Sequence, residues 1–290
     1  MPGSSLFTQA LTQVTDVPAG VVTYRNLCYV PSGHERHKLD LYLPPGGAKL
    51  PLIIWISGGA WRTAEKERGV PFEVLAKSYA LASINHRLSQ HAKFPAQIED
   101  CKAAVRWLRA NAESFGLDPS RFGVWGASSG GHLAALLGVT GGTREFDVGE
   151  HLHISSRVQV AVDFYGPTDF LQMDAHRLPE STLMHDSPDS PESELIGGPI
   201  QEHIEQTQRA NPIHYVTADA SPFLIVHGDL DLLVPHHQSE LLVAALRQAG
   251  VPVSFYTVQH GGHGKFADPK ANRLPLEFFA AYLNPGGSLL

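Results

Sequence analysis

Cysteine is scarce: the 290-residue chain carries only Cys28 and Cys101. They lie far apart, outside any C-x-x-C or metal-type spacing. They build no disulfide framework, and both are expected as buried thiols. Cations are outnumbered, with 22 Lys and Arg against 29 Asp and Glu, for a formal charge of −7. That sign argues against nucleic acid and anionic membranes as main partners, because both require clustered Lys and Arg. The longest apolar stretch, Leu52 to Ile56, falls far short of the roughly 20 residues that span a bilayer. Met1-Pro2-Gly3-Ser4-Ser5 has neither the basic nor the apolar region of a secretory signal, so a cytoplasmic location is expected. No repeat, low-complexity tract or composition break marks a second domain. At 43% hydrophobic and 18% charged residues, the chain has the composition of a globular protein, expected as one domain over residues 1–290. Histidine is plentiful, at 16 residues. Pairs such as His151/His153 and His236/His237 lack a third ligand at zinc-like spacing, so neither a metal nor another cofactor is expected.

The hydrophobic pattern changes along the chain. Residues 21–30 and 37–43 read as strands, the second alternating Leu39, Leu41 and Leu43 with Asp40 and Tyr42. Such alternation predicts a half-exposed antiparallel edge. Continuous apolar runs follow at 51–57, 80–86, 121–126, 158–165 and 222–228, with a last strand at 252–258. They suit strands buried on both faces. Between them lie amphipathic helical patterns at 95–112 and 237–249, an Ala/Leu-rich one from Leu133 to Leu137, and a final one at 274–283. The alternation predicts an α/β fold: one mostly parallel sheet with helices on both faces. Residues 168–212, rich in Pro, Ser, Glu and His, break the rhythm and read as a lid-like insertion.

Gly126-Ala127-Ser128-Ser129-Gly130 fits G-x-S-x-G, after a buried strand and before a helix. That is the setting of a nucleophile elbow, in which small residues flank a serine held in a tight turn. Ser128 at the motif's centre is the candidate nucleophile. A serine hydroxyl needs a base and an orienting acid, which follow in the order Ser, acid, His. Asp231, in the loop after the strand Phe223 to Val226, is the candidate acid, with Asp229 as the alternative. His263, between Gly262 and Gly264 after the last strand, is the candidate base, with His260 as the alternative. Both loops follow the carboxyl ends of strands, where ligands bind in such sheets. For an oxyanion hole, the backbone N–H groups of Gly59, Ala60 and Ser129 are the candidates, the first two in the small-residue loop Ser57-Gly58-Gly59-Ala60-Trp61. Trp61 beside that loop is a candidate to stack on a sugar or aryl ring, the alternative being a core position.

Together with Asn85 to Ser89, Phe94 to Asp100, Tyr165 to Asp169 and His227 to Pro235, these segments resemble an α/β-hydrolase esterase. The nearest likeness is to the branch of bifunctional carbohydrate and feruloyl esterases, related to the hormone-sensitive-lipase-like carboxylesterases. The resemblance covers roughly residues 20 to 285 and implies the α/β-hydrolase fold and serine hydrolase chemistry. Two positions depart from it. The family's loop usually begins H-G-G-G-W, whereas this chain has Ser57 for the histidine and Ala60 for a glycine.

The residues imply attack of Ser128 on an ester carbonyl, with His263 as base, Asp231 orienting it and an acyl-enzyme intermediate. The polar, acidic character of 168–212 favours a water-soluble, small-molecule ester with a short acyl, aryl or carbohydrate part. An amidase, an arylformamidase or a peptidase-like hydrolase would use the same groups. The segment before the first strand leaves no room for the propeller of a peptidase. A non-catalytic binding module on this fold is the reading from another class, with the altered Ser57 loop as its residue-level support. In related folds, a unit like the one at 252–283 forms an edge used for homodimers.

Overall fold

The computed structural model describes residues 17–284, so the reading of Met1 to Ser5 lies outside them. The strands are β1 (Val22–Cys28), β2 (Lys38–Leu43), β3 (Leu50–Ile56), β4 (Ala80–Ile84), β5 (Leu117–Ala127), β6 (Val160–Phe164), β7 (Phe223–Gly228) and β8 (Val253–Val258). They form one eight-stranded sheet in the order β1-β2-β4-β3-β5-β6-β7-β8. The pairs β1/β2 and β2/β4 are antiparallel, and the remaining pairs are parallel. Alternate residues of the central strands serve opposite faces. Ile54 and Ile56 pack with helices α1 (Ala96–Ala110), α2 (Ser129–Val139) and α5 (His237–Gln248). Ile53 and Trp55 pack on the other side, where Ala271, Phe279 and Leu283 of α6 (Pro269–Leu283) close the layer. Burial on both faces is why these strands read as unbroken apolar runs.

Connectivity reverses beside β3. The chain leaves β3 for β4 on one side, then crosses to β5 on the other. In open α/β sheets the crevice at such a reversal, outside the carboxyl ends of the strands, is where ligands bind. The loops after β3, β5, β7 and β8 open on that edge.

Three expectations need correction. First, β2 is not a half-exposed edge: β1 lies outside it, and Asp40 and Tyr42 are buried. The alternating charge is accommodated by partners. Asp40 accepts hydrogen bonds from Arg25 at 2.7 Å and the Asn26 N–H at 2.7 Å, and pairs with Lys66 at 3.0 Å. Burial pushes its carboxyl up, but the Asn26 amide, Arg25 and Lys66 together hold it below the ordinary value. Second, Cys101 is buried but Cys28 is exposed. It sits on the outer strand, with no layer over it. Third, the last helix begins at Pro269 rather than near 274. The Asp268 side chain accepts the Lys270 N–H at 2.9 Å, an aspartate N-cap before proline in the first turn.

Between β6 and β7, residues 168–212 carry short helices, α3 (Pro191–Ile196) and α4 (Ile204–Ala210), and single 3₁₀ turns. Among the described residues no helix is long and apolar enough to cross a membrane.

Asp40→Ala leaves Lys66, itself buried, without its buried carboxylate partner and with only the exposed Glu67. The expected cost is about 3–5 kcal/mol of unfolding free energy in urea. Because the Asp40 carboxyl titrates below its ordinary value, its contribution is present at neutral pH and lost as the pH falls through the carboxylate range. The gap between variant and wild type therefore narrows on acidification.

Candidate active site

Ser128 occupies a conformation that few side chains tolerate, with φ 58° and ψ −125°. Its N–H donates to the Phe164 carbonyl at 2.8 Å, and its carbonyl accepts from the His132 N–H at 3.0 Å. The flanking glycines are obligatory. A Cβ on Gly126 would lie 2.0 Å from the Gly130 carbonyl oxygen, and one on Gly130 would lie 2.1 Å from that of Ile56. The turn is thus wedged between the carboxyl end of β3 and the start of α2, whose N-terminus carries partial positive charge beside the serine.

His263 lies across the turn from Ser128. Its Nε2 is 3.0 Å from Ser128 Oγ and its Nδ1 is 2.7 Å from Asp231 Oδ2. The carboxylate accepts Nδ1–H, which leaves Nε2 bare to accept the serine O–H. The Tyr165 ring meets the imidazole edge-on at 4.7 Å between centroids. Asp231 is 1% exposed. Its Oδ1 accepts the N–H groups of Leu233 at 2.8 Å and Val234 at 3.0 Å. Burial raises its carboxyl, but the charge of His263 and hydrogen bonds from His227 and His263 outweigh it and hold the group well below the carboxylate range. The two alternatives stand apart. Among the described residues His263 Nδ1 pairs with Asp231, and Asp229 Oδ1 has no hydrogen-bond partner, while His260 is an exposed turn residue at φ 58°.

The sequence offered no role for His227, which proves central. Fully buried at the end of β7, it places Nε2 3.1 Å from Asp231 Oδ2 and 3.0 Å from the Val234 carbonyl. Two acceptors at one nitrogen require Nε2–H. Nδ1 is 2.7 Å from Ser239 Oγ, so Ser239 O–H donates there in the neutral ring. One oxygen of Asp231 therefore serves two histidines. The signal was the His-Gly-Asp stretch itself, which yields only a turn until the partners fold around it.

The loop after β3 approaches the serine closely. A Cβ on Gly58 would lie 3.1 Å from Ser128 Cβ. Gly59, Ala60 and Trp61 have φ values of 147°, 53° and 56°, all in the region that favours glycine. Among the described residues, the N–H groups of Gly59, Ala60 and Ser129 meet no protein acceptor, and all three residues line the cavity at Ser128. Ser57 is buried, and its Oγ accepts the Glu65 N–H at 3.0 Å, bracing the loop where the resembled family has histidine.

Trp61 is placed otherwise than as a free stacking platform. It is 2% exposed and packs edge-to-face with His132 and Phe170 at 5.1 and 5.5 Å. Its indole N–H points at His132 Nδ1, 3.2 Å away, and His132 Nε2–H donates to the Ala210 carbonyl at 2.8 Å. That tautomer is neutral, and burial pushes His132 down to about 4. Trp61 touches the cavity only as part of its wall. Beneath the site Asp163 is fully buried. Its Oδ1 accepts the Gly166 N–H at 2.9 Å while Oδ2 has no partner. Burial pushes its carboxyl up to about 7.

The cavity encloses about 410 Å³ and reaches from Ser128 and His263 to Leu183, His185, Pro191 and Glu192 of the β6–β7 connection, and to Arg68.

Comparison with known proteins bears on this site. The BD-FAE family model matches residues 39–246. Esterase LipC of Mycobacterium tuberculosis is 32% identical over 218 residues, covering 74% of this chain and 53% of the relative. Esterase LipQ of the same organism is 30% identical over 271 residues, covering 88% and 57%. The chain thus spans little more than half the length of these curated relatives. A solved structure described as a truncated form of a carbohydrate esterase from gut microbiota is 35% identical, with a TM-score of 0.82 over 91% of this chain and 96% of that one. The sheet and its helices are those of the α/β-hydrolase fold.

Asp163→Asn tests the buried carboxyl. A folded-state value near 7 means the native state holds its proton where the unfolded chain has lost it, so wild-type stability falls as the pH rises from about 4 to 7. The variant should lack that part of the slope. Its melting temperature relative to wild type is expected to rise with pH across the window.

Proposed function

The chain belongs to the BD-FAE family, and on that premise we propose that it is a serine carboxylesterase acting on small, water-soluble esters through Ser128, His263 and Asp231. The observation that carries the proposal is the continuous hydrogen-bond path from Ser128 Oγ to Asp231 Oδ2 across the His263 ring, at 3.0 and 2.7 Å.

The mechanism follows from that path. Ser128 attacks the ester carbonyl while His263 Nε2 takes its proton. Asp231 holds the imidazole in the Nδ1–H tautomer and stabilises the imidazolium. The N–H groups of Gly59, Ala60 and Ser129 meet the developing oxyanion, a role that needs unengaged, preorganised donors. His263 passes its proton to the leaving alcohol, then draws one from water, which attacks the acyl-Ser128 ester and releases the acid. Backbone donors tolerate the change from glycine to Ala60, because the methyl group leaves the N–H in place. His227 acts as a positioning residue, fixing the carboxylate plane that orients His263.

The substrate class rests on the cavity. A volume of about 410 Å³, walled by apolar side chains such as Trp55, Leu183, Leu233 and Val234 beside the polar Arg68 and Glu192, suits a short acyl group on an aryl or carbohydrate alcohol better than a long lipid chain.

Ser128→Ala is expected to lower kcat/KM for p-nitrophenyl acetate by on the order of 10³-fold or more, and Asp231→Asn by on the order of 10³–10⁴-fold, with folding intact by circular dichroism. Undiminished turnover by Ser128→Ala contradicts the proposal. The rate should also fall on acidification, because a protonated His263 cannot accept the serine proton. A flat profile from about pH 5 to 8 contradicts the assigned base.

A further inference from the structure

The charges on the cavity wall do not balance. Both histidines that line it have a carboxylate of their own: His263 pairs with Asp231 at 2.7 Å and His185 with Glu192 at 3.1 Å. Arg68, half-buried on the same wall, has none among the described residues. Its side chain makes two long contacts, from Nη1 to the Gly58 carbonyl and to Thr63 Oγ1, each at 3.5 Å. The carboxylates beside it in the chain are taken: Glu65 pairs with Arg36 at 2.8 Å, and Glu67 pairs with Lys66. The next cation of the loop, Arg62, is taken too, by Glu194. A guanidinium has five N–H donors in a planar fork and holds its charge at every working pH, so most of its bonding capacity is open to the cavity. Its backbone is fixed on both sides. The Arg68 N–H donates to the Glu65 carbonyl at 2.9 Å, and its carbonyl accepts the Trp55 indole N–H at 2.9 Å. Gly58 ties the cation to the reacting centre. Its carbonyl faces Arg68, while a Cβ on it would lie 3.1 Å from Ser128 Cβ, so one glycine separates the guanidinium from the nucleophile's side chain.

We infer that Arg68 binds a carboxylate carried by the ester substrate. This rests on the reading of Ser128 as nucleophile and adds a charge class to it: esters that are anions at neutral pH, such as half-esters of short dicarboxylic acids or acyl esters of hydroxy acids. A carboxylate offers two oxygens in the plane that the guanidinium fork matches, and such a pair gains from both charge and bidentate geometry. The rest of the wall sets no free anion against it. Glu192 is the one carboxylate that lines the cavity, and its charge is met by His185, whose imidazole the hydrogen bond and charge of Glu192 raise above its ordinary value against the opposing effect of burial. In a chain with a formal charge of −7 the overall field opposes an anionic ligand, so a cation at the site itself is what admits one.

The test uses two pairs of esters, each an anion beside its neutral amide. Ethyl hydrogen succinate and ethyl succinamate carry the group on the acyl side, and 3-acetoxybenzoate and 3-acetoxybenzamide carry it on the alcohol side. For wild type and Arg68→Gln, the ratio of kcat/KM for the anion to that for the amide is measured within each pair. Comparing the two proteins' ratios cancels the intrinsic reactivity of the esters and any loss of folded enzyme. A purely structural role for Arg68, such as bracing the Gly58 loop, lowers both members of a pair alike and leaves the ratio unmoved. The ratio should fall by about 5-fold or more in Arg68→Gln for at least one pair, as expected for loss of a charged hydrogen bond, and the pair that responds identifies the side of the ester that Arg68 reads. A smaller fall in both pairs, or wild type that cleaves p-nitrophenyl acetate but neither anion, overturns the subsite while leaving the esterase reading intact. Failure of wild type to turn over all four esters and p-nitrophenyl acetate overturns the esterase reading and the subsite with it.

Discussion

The close packing of backbone on backbone at the Ser128 turn is the constraint from which the site's geometry follows. Three strand ends and a helix start converge there, with no room for a Cβ on Gly126 or Gly130. A serine at φ 58° in such a turn costs of order 1–3 kcal/mol. The surrounding sheet over-determines it, through the Phe164 carbonyl on one side and β3 on the other. Because β3 and β5 are neighbours at the point where connectivity reverses, the loop after β3 must pass the serine. That places the Gly59 and Ala60 amides on the same side as the hydroxyl without any side chain having to reach.

Charge management is the second layer. Asp231 is a buried anion, and an anion withdrawn from water is expensive unless hydrogen-bonded and paired. Two backbone amides and two histidines supply what water would have given. The other buried histidine near the elbow, His132, is held neutral, so it adds no cation to compete with His263 for the carboxylate. Asp163, also buried nearby, keeps its proton over much of the acidic range and so adds no second anion there. Around the elbow the negative charge thus rests on Asp231, the carboxylate hydrogen-bonded to His263.

Much of this was legible in the residues. Unbroken apolar runs marked the parallel strands, and G-x-S-x-G between strand and helix marked the turn, because local sterics alone demand those glycines. What escaped reading depends on partners distant in sequence. Asp40 looked solvent-facing because alternation reports polarity, and only Arg25 and Lys66 make that polarity buriable. His227 looked like a turn residue because its partners, Asp231, Val234 and Ser239, converge only once β7 and α5 pack. His185 and Glu192 lie in the irregular connection between β6 and β7, where no periodicity tells inside from outside.

Trp61 shows how magnitudes assign a role. Ala60 and Trp61 are consecutive left-handed residues without the freedom of glycine, a strain of roughly 2–6 kcal/mol for the two. A buried tryptophan removes about 150–250 Å² from water, worth roughly 4–6 kcal/mol at the usual coefficient. The indole's burial against His132 and Phe170 is therefore of the size needed to hold the loop in its strained course, with Ser57 pinning the other end through Glu65. A tryptophan free to swing out and stack on a sugar would give up that anchorage, and the Ala60 N–H would lose its direction. The loop needs Trp61 inside, where it meets the cavity only as part of its wall.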